Sequence, residues 1–302
     1  MVVFSNISVR IKTVEKMEVN NFEIIIPAYN EEENIVQVIR DIRQAVSSDC
    51  RIVVVDDASK DSTAQAARAG GAEVIQHPYH IGNGAAIKTG LRRSRCAVVV
   101  LMDADNQHQP RDIPLLLGQI EKFDMVIGAR DFSKLSLRNL ANRFYNAFAS
   151  YVTLFKIQDL TCGFRAVKRE DALKFLYLLP NSFSYPSTLT LAFLKTGRTI
   201  TYMPIASAQR KQGKSKINLL KDGVRFLLII IRIATFFSPL RVFLPVSAVF
   251  FISGLTYYLY TFFAFHRFTN MSALLFTASL LIFMLGLISE QISQLRMDRT
   301  EG

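Results

Sequence analysis

Two charge-free apolar runs near the C-terminal end constrain this chain more than any other feature: Val242 to Phe265 and, after His266-Arg267, Phe268 to Ser289. At about 1.5 Å of rise per helical residue, each is long enough to cross a hydrocarbon core of about 30 Å. The alternative is a helical hairpin buried in a soluble core, which needs shorter apolar runs than these. Composition favours the membrane, since 50% of the residues are hydrophobic and the mean hydropathy is +0.22. Tyr257, Tyr258, Tyr260 and the phenylalanines nearby fit an interfacial aromatic belt.

Charge sets the expected orientation. From Ala206 to Arg241, eight basic residues (Arg210, Lys211, Lys214, Lys216, Lys221, Arg225, Arg232 and Arg241) stand against Asp222 alone and make up most of the formal net charge of +11. A basic flank before the first span and a poor one between the spans predict that both termini are cytoplasmic and that only the Phe265 to Asn270 turn lies outside. Nucleic acid also selects basic patches, but this one abuts an apolar span rather than a reading helix. Anionic membrane lipids are therefore the expected partner, and nucleic acid is not. Lys214, Lys221, Arg225 and Arg232 are spaced by 7, 4 and 7 residues, which is one face of a helix. Leu219, Leu220, Val224 and Leu227 fill much of the rest, so an amphipathic helix is expected to lie in the interface until Pro239 ends it.

Met1 to Asn20 mixes charges and lacks a long apolar core, so no secretory signal is expected. Cys50, Cys96 and Cys162 are odd in number and lack metal-ligand spacing, which predicts reduced thiols. The expected layout is an N-terminal extension over 1–20, a catalytic domain over 21–205, interface helices over 206–240, two transmembrane helices within 241–295 and a cytoplasmic tail over 296–302. The sequence leaves homo-oligomer formation open.

Between residues 22 and 102 short apolar strands alternate with helices, the pattern of an α/β sheet. Strands are predicted at Phe22 to Pro27, Arg51 to Val55, Glu73 to Gln76 and Ala97 to Met102, and helices at Glu31 to Val46, Ser59 to Ala69 and Gly84 to Arg93. The first helix spaces Ile35, Val38, Ile39 and Ile42 on one face and opens with Glu31, Glu32 and Glu33, where its dipole favours negative charge. In open α/β sheets ligands collect beyond the carboxyl ends of the strands. Three such ends carry polar residues here: Pro27-Ala28-Tyr29-Asn30-Glu31, Asp56-Asp57-Ala58-Ser59 and Asp103-Ala104-Asp105. The last is a D-x-D at the mouth of a buried strand. In extended chain its two carboxylates face the same way, which suits one hard divalent cation holding a diphosphate. A solvated loop is the bland alternative for an isolated D-x-D, and the convergence of three polar strand ends weighs against it.

A dinucleotide fold is excluded, because Gly82-Asn83-Gly84 follows a later strand and Ile87 stands where a third glycine is required; a Walker A loop is also missing. The segments PAYNEEENI, VVVDDASKDST, HIGNGAAIKTGL, VVLMDADNQHQP and QDLTCGFRAVKR, in this order, resemble the family 2 glycosyltransferases of the GT-A fold. Within that family the chain looks like the polyprenyl-phosphate sugar transferases, the dolichyl-phosphate mannosyltransferase and bactoprenol glucosyltransferase type. The resemblance runs from about Asn21 through the C-terminal hairpin.

The resemblance implies that Pro27, Tyr29 and Glu31 shape a nucleotide pocket and that Asp56 meets the base. It implies that Asp103, Asp105 and Gln107 hold Mg2+ or Mn2+, and that Lys88 and the Gly82 to Gly84 turn lie in a donor-side loop. It places Arg130 at an acceptor loop that grips phosphate, and Asp159 to Arg165 near the sugar. Arg210 and Lys216 belong to a basic stretch that closes over the site. Lys88 reads equally well as a solvated helix lysine, and the alternative for Asp159 is a structural cap or ion-pair partner.

The implied reaction is an inverting transfer from a nucleotide sugar, UDP-hexose ahead of GDP-mannose, to undecaprenyl or dolichyl phosphate. Negative charge on the departing diphosphate must be neutralised as it develops, which is the part given to the metal on Asp103 and Asp105. A lipid phosphate is already an anion and needs no base. Enzymes that glycosylate hydroxyls place a carboxylate beside the acceptor, whereas Ser182 to Leu189 contains no acid. Asp159 is therefore expected to position the sugar or the arginines. A processive polysaccharide synthase is the nearest enzymatic rival, but it carries a Q-x-x-R-W motif and this chain has no tryptophan. Its polymer channel also needs more than two spans. A catalytically inactive membrane scaffold would show broken metal motifs, and these are intact.

Overall fold

The structure, a computed structural model, describes residues 22–46, 50–130, 137–182, 184–205, 231 and 234–301. The N-terminal extension and most of the basic interface segment, including Arg210, Lys214, Lys216, Lys221, Arg225 and Arg232, lie outside the described residues.

The apolar runs of the first two thirds become the buried strands of one sheet. Its members are β1 (Phe22–Ala28), β2 (Arg51–Asp56), β3 (Glu73–Gln76), β4 (Val98–Leu101), β5 (Met125–Ala129), β6 (Arg165–Lys168) and β7 (Ile200–Pro204), in the order β3-β2-β1-β4-β6-β5-β7. Helices α1 (Glu32–Ala45), α2 (Thr63–Ala69), α3 (Asn83–Arg93), α4 (Ile113–Leu117), α5 (Leu137–Thr153), α6 (Arg169–Lys174) and α7 (Tyr185–Lys195) complete the α/β domain. Ile24, Ile25 and Ile26 are all fully buried, as continuous apolar strands covered on both faces must be. The face of α1 that carries Ile35, Val38, Ile39 and Ile42 is the one that packs inward.

Among the described strands only β6 runs against its neighbours. It is antiparallel to β4, with Arg165 opposite Leu101, and antiparallel to β5, with Arg165 opposite Ile127. The start of β6 therefore lies beside the ends of β4 and β5. This single reversal brings the stretch before β6, residues 159–164, to the sheet edge that carries Asp103 and Arg130.

One predicted element is shorter than expected. Periodicity favours a helix from Ser59, but α2 begins at Thr63. The intervening residues are held in a turn: Ala58 is left-handed at φ 60°, Ser59 N donates to Asp56 Oδ1 at 3.2 Å, and Lys60 N donates to Asn30 Oδ1 at 2.8 Å. Local side-chain acceptors outcompete the first helical turn.

The two apolar runs form helices α8 (Pro239–Phe265) and α9 (Asn270–Glu301), antiparallel and joined by a turn in which His266 is left-handed. Only 11% and 17% of their apolar windows are buried, so neither is the core helix of a soluble domain. Between them Ser247 Oγ donates to Ser279 O at 3.0 Å and Ser279 Oγ donates to Ser247 O at 2.9 Å, the close small-residue contact that packs helices in lipid.

Candidate active site

Five segments meet at one edge of the sheet: the carboxyl ends of β1, β2, β4 and β5, and the stretch that leads into β6. The turns after β1, β2 and β4 each contain a non-glycine residue in the left-handed region, Asn30 at φ 55°, Ala58 at 60° and Asn106 at 58°. Such backbones persist where surrounding bonds fix them. Here Asn30 N donates to Ser59 Oγ at 2.9 Å, Glu31 N to Thr63 Oγ1 at 2.8 Å, and Asn106 Nδ2 to Asn34 Oδ1 at 3.2 Å. The three turns are thereby tied into one rim.

Asp103, Asp105 and Gln107 stand half-buried at the end of β4, and Gln107 N donates to Asp105 Oδ1 at 3.1 Å. Asp103 keeps 32% of its side-chain surface exposed. The packing around it is still dense enough to raise its carboxyl above the usual carboxylate range, opposed by the Asn83 amide and by the Arg130 and Arg165 charges. Gly163 lies directly against it. A Cβ at Gly163 would sit 2.6 Å from Asp103 Oδ2, so the glycine of the D-x-x-x-G-F-R segment exists to admit this carboxylate.

His108 closes the back of the cluster. Its ring is 5% exposed, stacks on Phe164 at 5.3 Å, and puts Nδ1 4.0 Å from Asp103 Oδ2. Burial lowers its pKa to about 4, so the imidazole is neutral. His108 Nδ1, Asn83 Oδ1 and Tyr185 Oη are all buried without a hydrogen-bond partner. Orphaned polar atoms are rare in folded proteins, and these three belong to side chains around Asp103, so the site is built for polar contents. Among the described residues no three His, Cys, Asp or Glu side chains cluster as a self-contained metal site. Two carboxylates and an amide nonetheless fit Mg2+ or Mn2+, which take their other ligands from phosphate oxygens and water.

Asp57 is the residue that sequence reasoning passed over. It is 2% exposed and accepts from Ile81 N at 3.0 Å and Gly82 N at 2.7 Å, while His77 Nδ1 and His80 Nδ1 lie 2.6 and 2.8 Å from its two oxygens. It thus holds the loop that leads into α3 against the end of β2 and stands His80 beside Tyr29, with ring centroids 4.2 Å apart. Its position next to Asp56 at a strand end was the available signal. Asp56 itself is 1% exposed and accepts from Ser59 and from Gln76 Nε2 at 3.2 Å. Tyr29, 37% exposed, and Glu31 stand in the turn after β1, and Pro27 pairs with Val55 within the sheet.

The basic residues are largely committed to the protein. Arg130 Nε donates to Asp159 Oδ2 at 2.7 Å and Arg130 Nη2 to Asp159 Oδ1 at 2.9 Å, a two-pronged ion pair that raises the arginine's pKa further although burial opposes it. Asp159 is fully buried and also accepts from Arg130 N and Thr161 N. Arg165, expected beside the donor, is fully buried; it donates to Cys162 O, to Pro186 O at 3.0 Å and to Thr190 Oγ1 at 3.1 Å, pinning α7 to β6. Lys88 donates to Leu179 O at 3.1 Å and to Asn181 Oδ1. It ties α3 to the 179–182 segment against which Gly82 and Gly84 fit, where added Cβ atoms would meet Asn181 O at 2.4 Å and Pro180 O at 2.2 Å.

A mostly parallel sheet with a carboxylate pair at the end of β4, followed by an antiparallel β6 that returns a second polar segment to that edge, defines a glycosyltransferase of GT-A architecture. The chain belongs to glycosyl transferase family 2, whose model matches residues 23–175, and a second model, the GtrB C-terminal hairpin, matches residues 238–295. It is 32% identical over 226 residues to the undecaprenyl-phosphate 4-deoxy-4-formamido-L-arabinose transferase of Pseudomonas fluorescens, covering 66% of this chain and 62% of that protein. With the undecaprenyl-phosphate mannosyltransferase of Micrococcus luteus it shares 30% identity over 211 residues, 64% of this chain and 86% of the other. A solved structure of glucosyl-3-phosphoglycerate synthase from Mycobacterium tuberculosis, in complex with Mn2+, uridine diphosphate and glucosyl-3-phosphoglycerate, has the same fold. It matches with a TM-score of 0.56 at 22% identity over 70% of this chain and 79% of that one.

Proposed function

We propose that this glycosyltransferase moves a sugar from a nucleotide-sugar donor, UDP-hexose ahead of GDP-mannose, onto a polyprenyl phosphate of the undecaprenyl or dolichyl class, at the cytoplasmic face of the membrane. A phosphate oxygen of the acceptor attacks the anomeric carbon. The new carbon–oxygen bond forms with inversion as the bond to the nucleoside diphosphate breaks, and the diphosphate leaves with the electron pair. Asp103, Asp105 and Gln107 would hold Mg2+ or Mn2+, which when bound would supply neutralisation of the charge on that leaving group. Tyr29, Glu31 and the buried Asp56 turn wall the nucleotide side, with Pro27 fixing the strand beneath them. Arg210 and Lys216 lie outside the described residues and are assigned to closing the site over the anions.

The observation that carries this reading is the state of Asp159. Both its oxygens are taken by Arg130 and the Thr161 amide, and the Ser184–Leu189 stretch of the acceptor side has no acid, so a hydroxyl acceptor would find no free base there. A phosphate acceptor needs none. The half-buried carboxylate pair, the orphaned polar atoms around it and the names of the undecaprenyl-phosphate relatives support the same reading.

The test is the full chain in lipid nanodiscs with a panel of nucleotide sugars, a short polyprenyl phosphate and Mg2+ or Mn2+. Glycolipid extractable into organic solvent, lost with a chelator and in Asp105→Asn, supports the proposal. Sugar appearing only on saccharide hydroxyls overturns it.

A further inference from the structure

The loop between β3 and α3 carries two histidines in different surroundings. His77 and His80 both turn Nδ1 toward the buried Asp57, at 2.6 and 2.8 Å from its two oxygens, and Ile81 N and Gly82 N donate to the same carboxylate at 3.0 and 2.7 Å. A carboxylate only accepts, so in each ring the nitrogen that faces Asp57 carries the proton. For His77 this leaves Nε2 to accept from Thr89 Oγ1 at 2.9 Å, on a side chain only 7% exposed. For His80 it leaves Nε2 without a partner among the described residues, on a side chain that is 55% exposed.

His77 and the two amides already give Asp57 three donors, so His80 is not needed to satisfy the carboxylate; Asp57 instead orients His80. Tyr29 fixes the ring further, with centroids 4.2 Å apart and planes inclined by 37°. An exposed side chain held in one orientation is preorganised for a ligand, because its ordering cost is met before binding. Its place in the fold identifies that ligand. Asp57 N donates to Ala28 O at 2.9 Å, which joins the end of β2 to the turn that carries Tyr29. Three residues after His80, Asn83 opens α3, and its amide bonds the Asp103 carboxylate. His80 thus touches Tyr29, assigned to the nucleotide side, and leads directly to Asp103, assigned to the diphosphate. In a nucleoside diphosphate the group between base and phosphates is the ribose. A hydroxyl both donates and accepts, so it pairs with Nε2 whether the imidazole is neutral or protonated.

We propose that His80 reads the ribose of the donor nucleotide: its Nε2 pairs with one ribose hydroxyl while Asp57 holds the ring and Tyr29 backs it. The inference rests on the nucleotide-sugar reading of the site and deepens it by naming the residue that distinguishes a ribonucleotide from its deoxy analogue. His77 and Thr89 are positioning residues, since they hold Asp57, which holds His80. Because His80 is exposed, water replaces the hydroxyl when an analogue lacks it, so the discrimination is that of a single solvent-accessible hydrogen bond.

The test is calorimetric titration of the full chain in lipid nanodiscs with Mg2+, using UDP and GDP. The nucleotide that binds is then compared with its two analogues that each lack one ribose hydroxyl, in the parent and in His80→Phe, which keeps a ring against Tyr29 and removes both nitrogens. Thermal unfolding of both proteins checks the fold, and His80→Ala takes the place of His80→Phe if the latter does not fold. The expected result is that the parent binds one analogue roughly 3- to 10-fold more weakly than the ribonucleotide, and that the variant no longer distinguishes that analogue. A parent that binds both analogues as tightly as the ribonucleotide overturns the inference and leaves the nucleotide reading standing. A variant that keeps the parent's full preference also overturns it, because another group then reads the hydroxyl. Absence of binding by both UDP and GDP in the parent removes the nucleotide reading itself, and this inference with it.

Discussion

Replacing Gly163 by alanine separates the chemistry of the carboxylate clamp from the stability of the fold. The new Cβ would meet Asp103 Oδ2 at 2.6 Å and Cγ and Oδ1 at 3.2 Å, so the carboxylate must retreat by about 0.8 Å to reach ordinary van der Waals contact. The obstacle is the end of a side chain that can rotate away, and Gly163 is not in the left-handed region, so alanine is compatible with its backbone. Stability should hold or rise, by up to about 1 kcal/mol through the lower entropy of the unfolded chain. Activity should fall, since a misplacement of this size in a reacting constellation costs about 10²-fold, or about 2.7 kcal/mol of barrier. The assay is sugar transfer at saturating donor with Mg2+ or Mn2+ titrated, alongside thermal unfolding in the same detergent. A metal requirement shifted to higher concentration, with an unchanged unfolding temperature, is the expected pair of results. Turnover within about twofold of the parent, at unchanged metal requirement, refutes the placement of Asp103 in the clamp. Gly84→Ala is the contrast: its Cβ would strike the backbone oxygens of Pro180 and Ser182 at 2.2 and 2.7 Å, which cannot swing aside, so stability and activity should fall together.

Arg130→Ala strands a fully buried Asp159 carboxylate and should cost about 3–5 kcal/mol, read as a lowered unfolding temperature; adding Asp159→Asn should recover part of that stability without restoring activity. Burial raises the Cys50 and Cys162 thiols to about 12, so both should resist alkylation at pH 8 in the folded protein and react fully in denaturant, as counted by mass spectrometry. Burial tends to raise Asp124, but hydrogen bonds from Lys168 and Thr199 outweigh it and leave its pKa lowered. Its contribution is therefore present above the unfolded carboxylate pKa of about 3.9 and is lost as pH falls through the lower folded value. Asp124→Asn should accordingly flatten the acid limb of the unfolding curve, and an unchanged limb would count against the Asp124–Lys168 contact.

What the chain states by itself is whatever depends on near neighbours along it. Continuous apolar strands, the one-sided spacing of Ile35, Val38, Ile39 and Ile42, and two uncharged runs long enough for a bilayer are local patterns, and each appears in the structure as its expected element, although the second long helix continues past Ser289 to Glu301. The D-x-D is legible as a polar strand end, but β4 stops at Leu101 and residues 104–106 form a bend with Asn106 left-handed, so strand alternation does not set which way the two carboxylates face. Partners are another matter. Residues 29 positions apart, Arg130 and Asp159, become an ion pair only because β6 runs backwards between β4 and β5 and returns its leading segment to their ends. The same reversal buries Arg165 and sets Gly163 against Asp103. Asp57 becomes the anchor of the loop before α3 because β2 delivers it there and the Ile81 and Gly82 amides need an acceptor. Spacing in sequence tells which face a side chain takes, but the neighbour across that face is chosen by strand order and direction, which only the folded sheet decides.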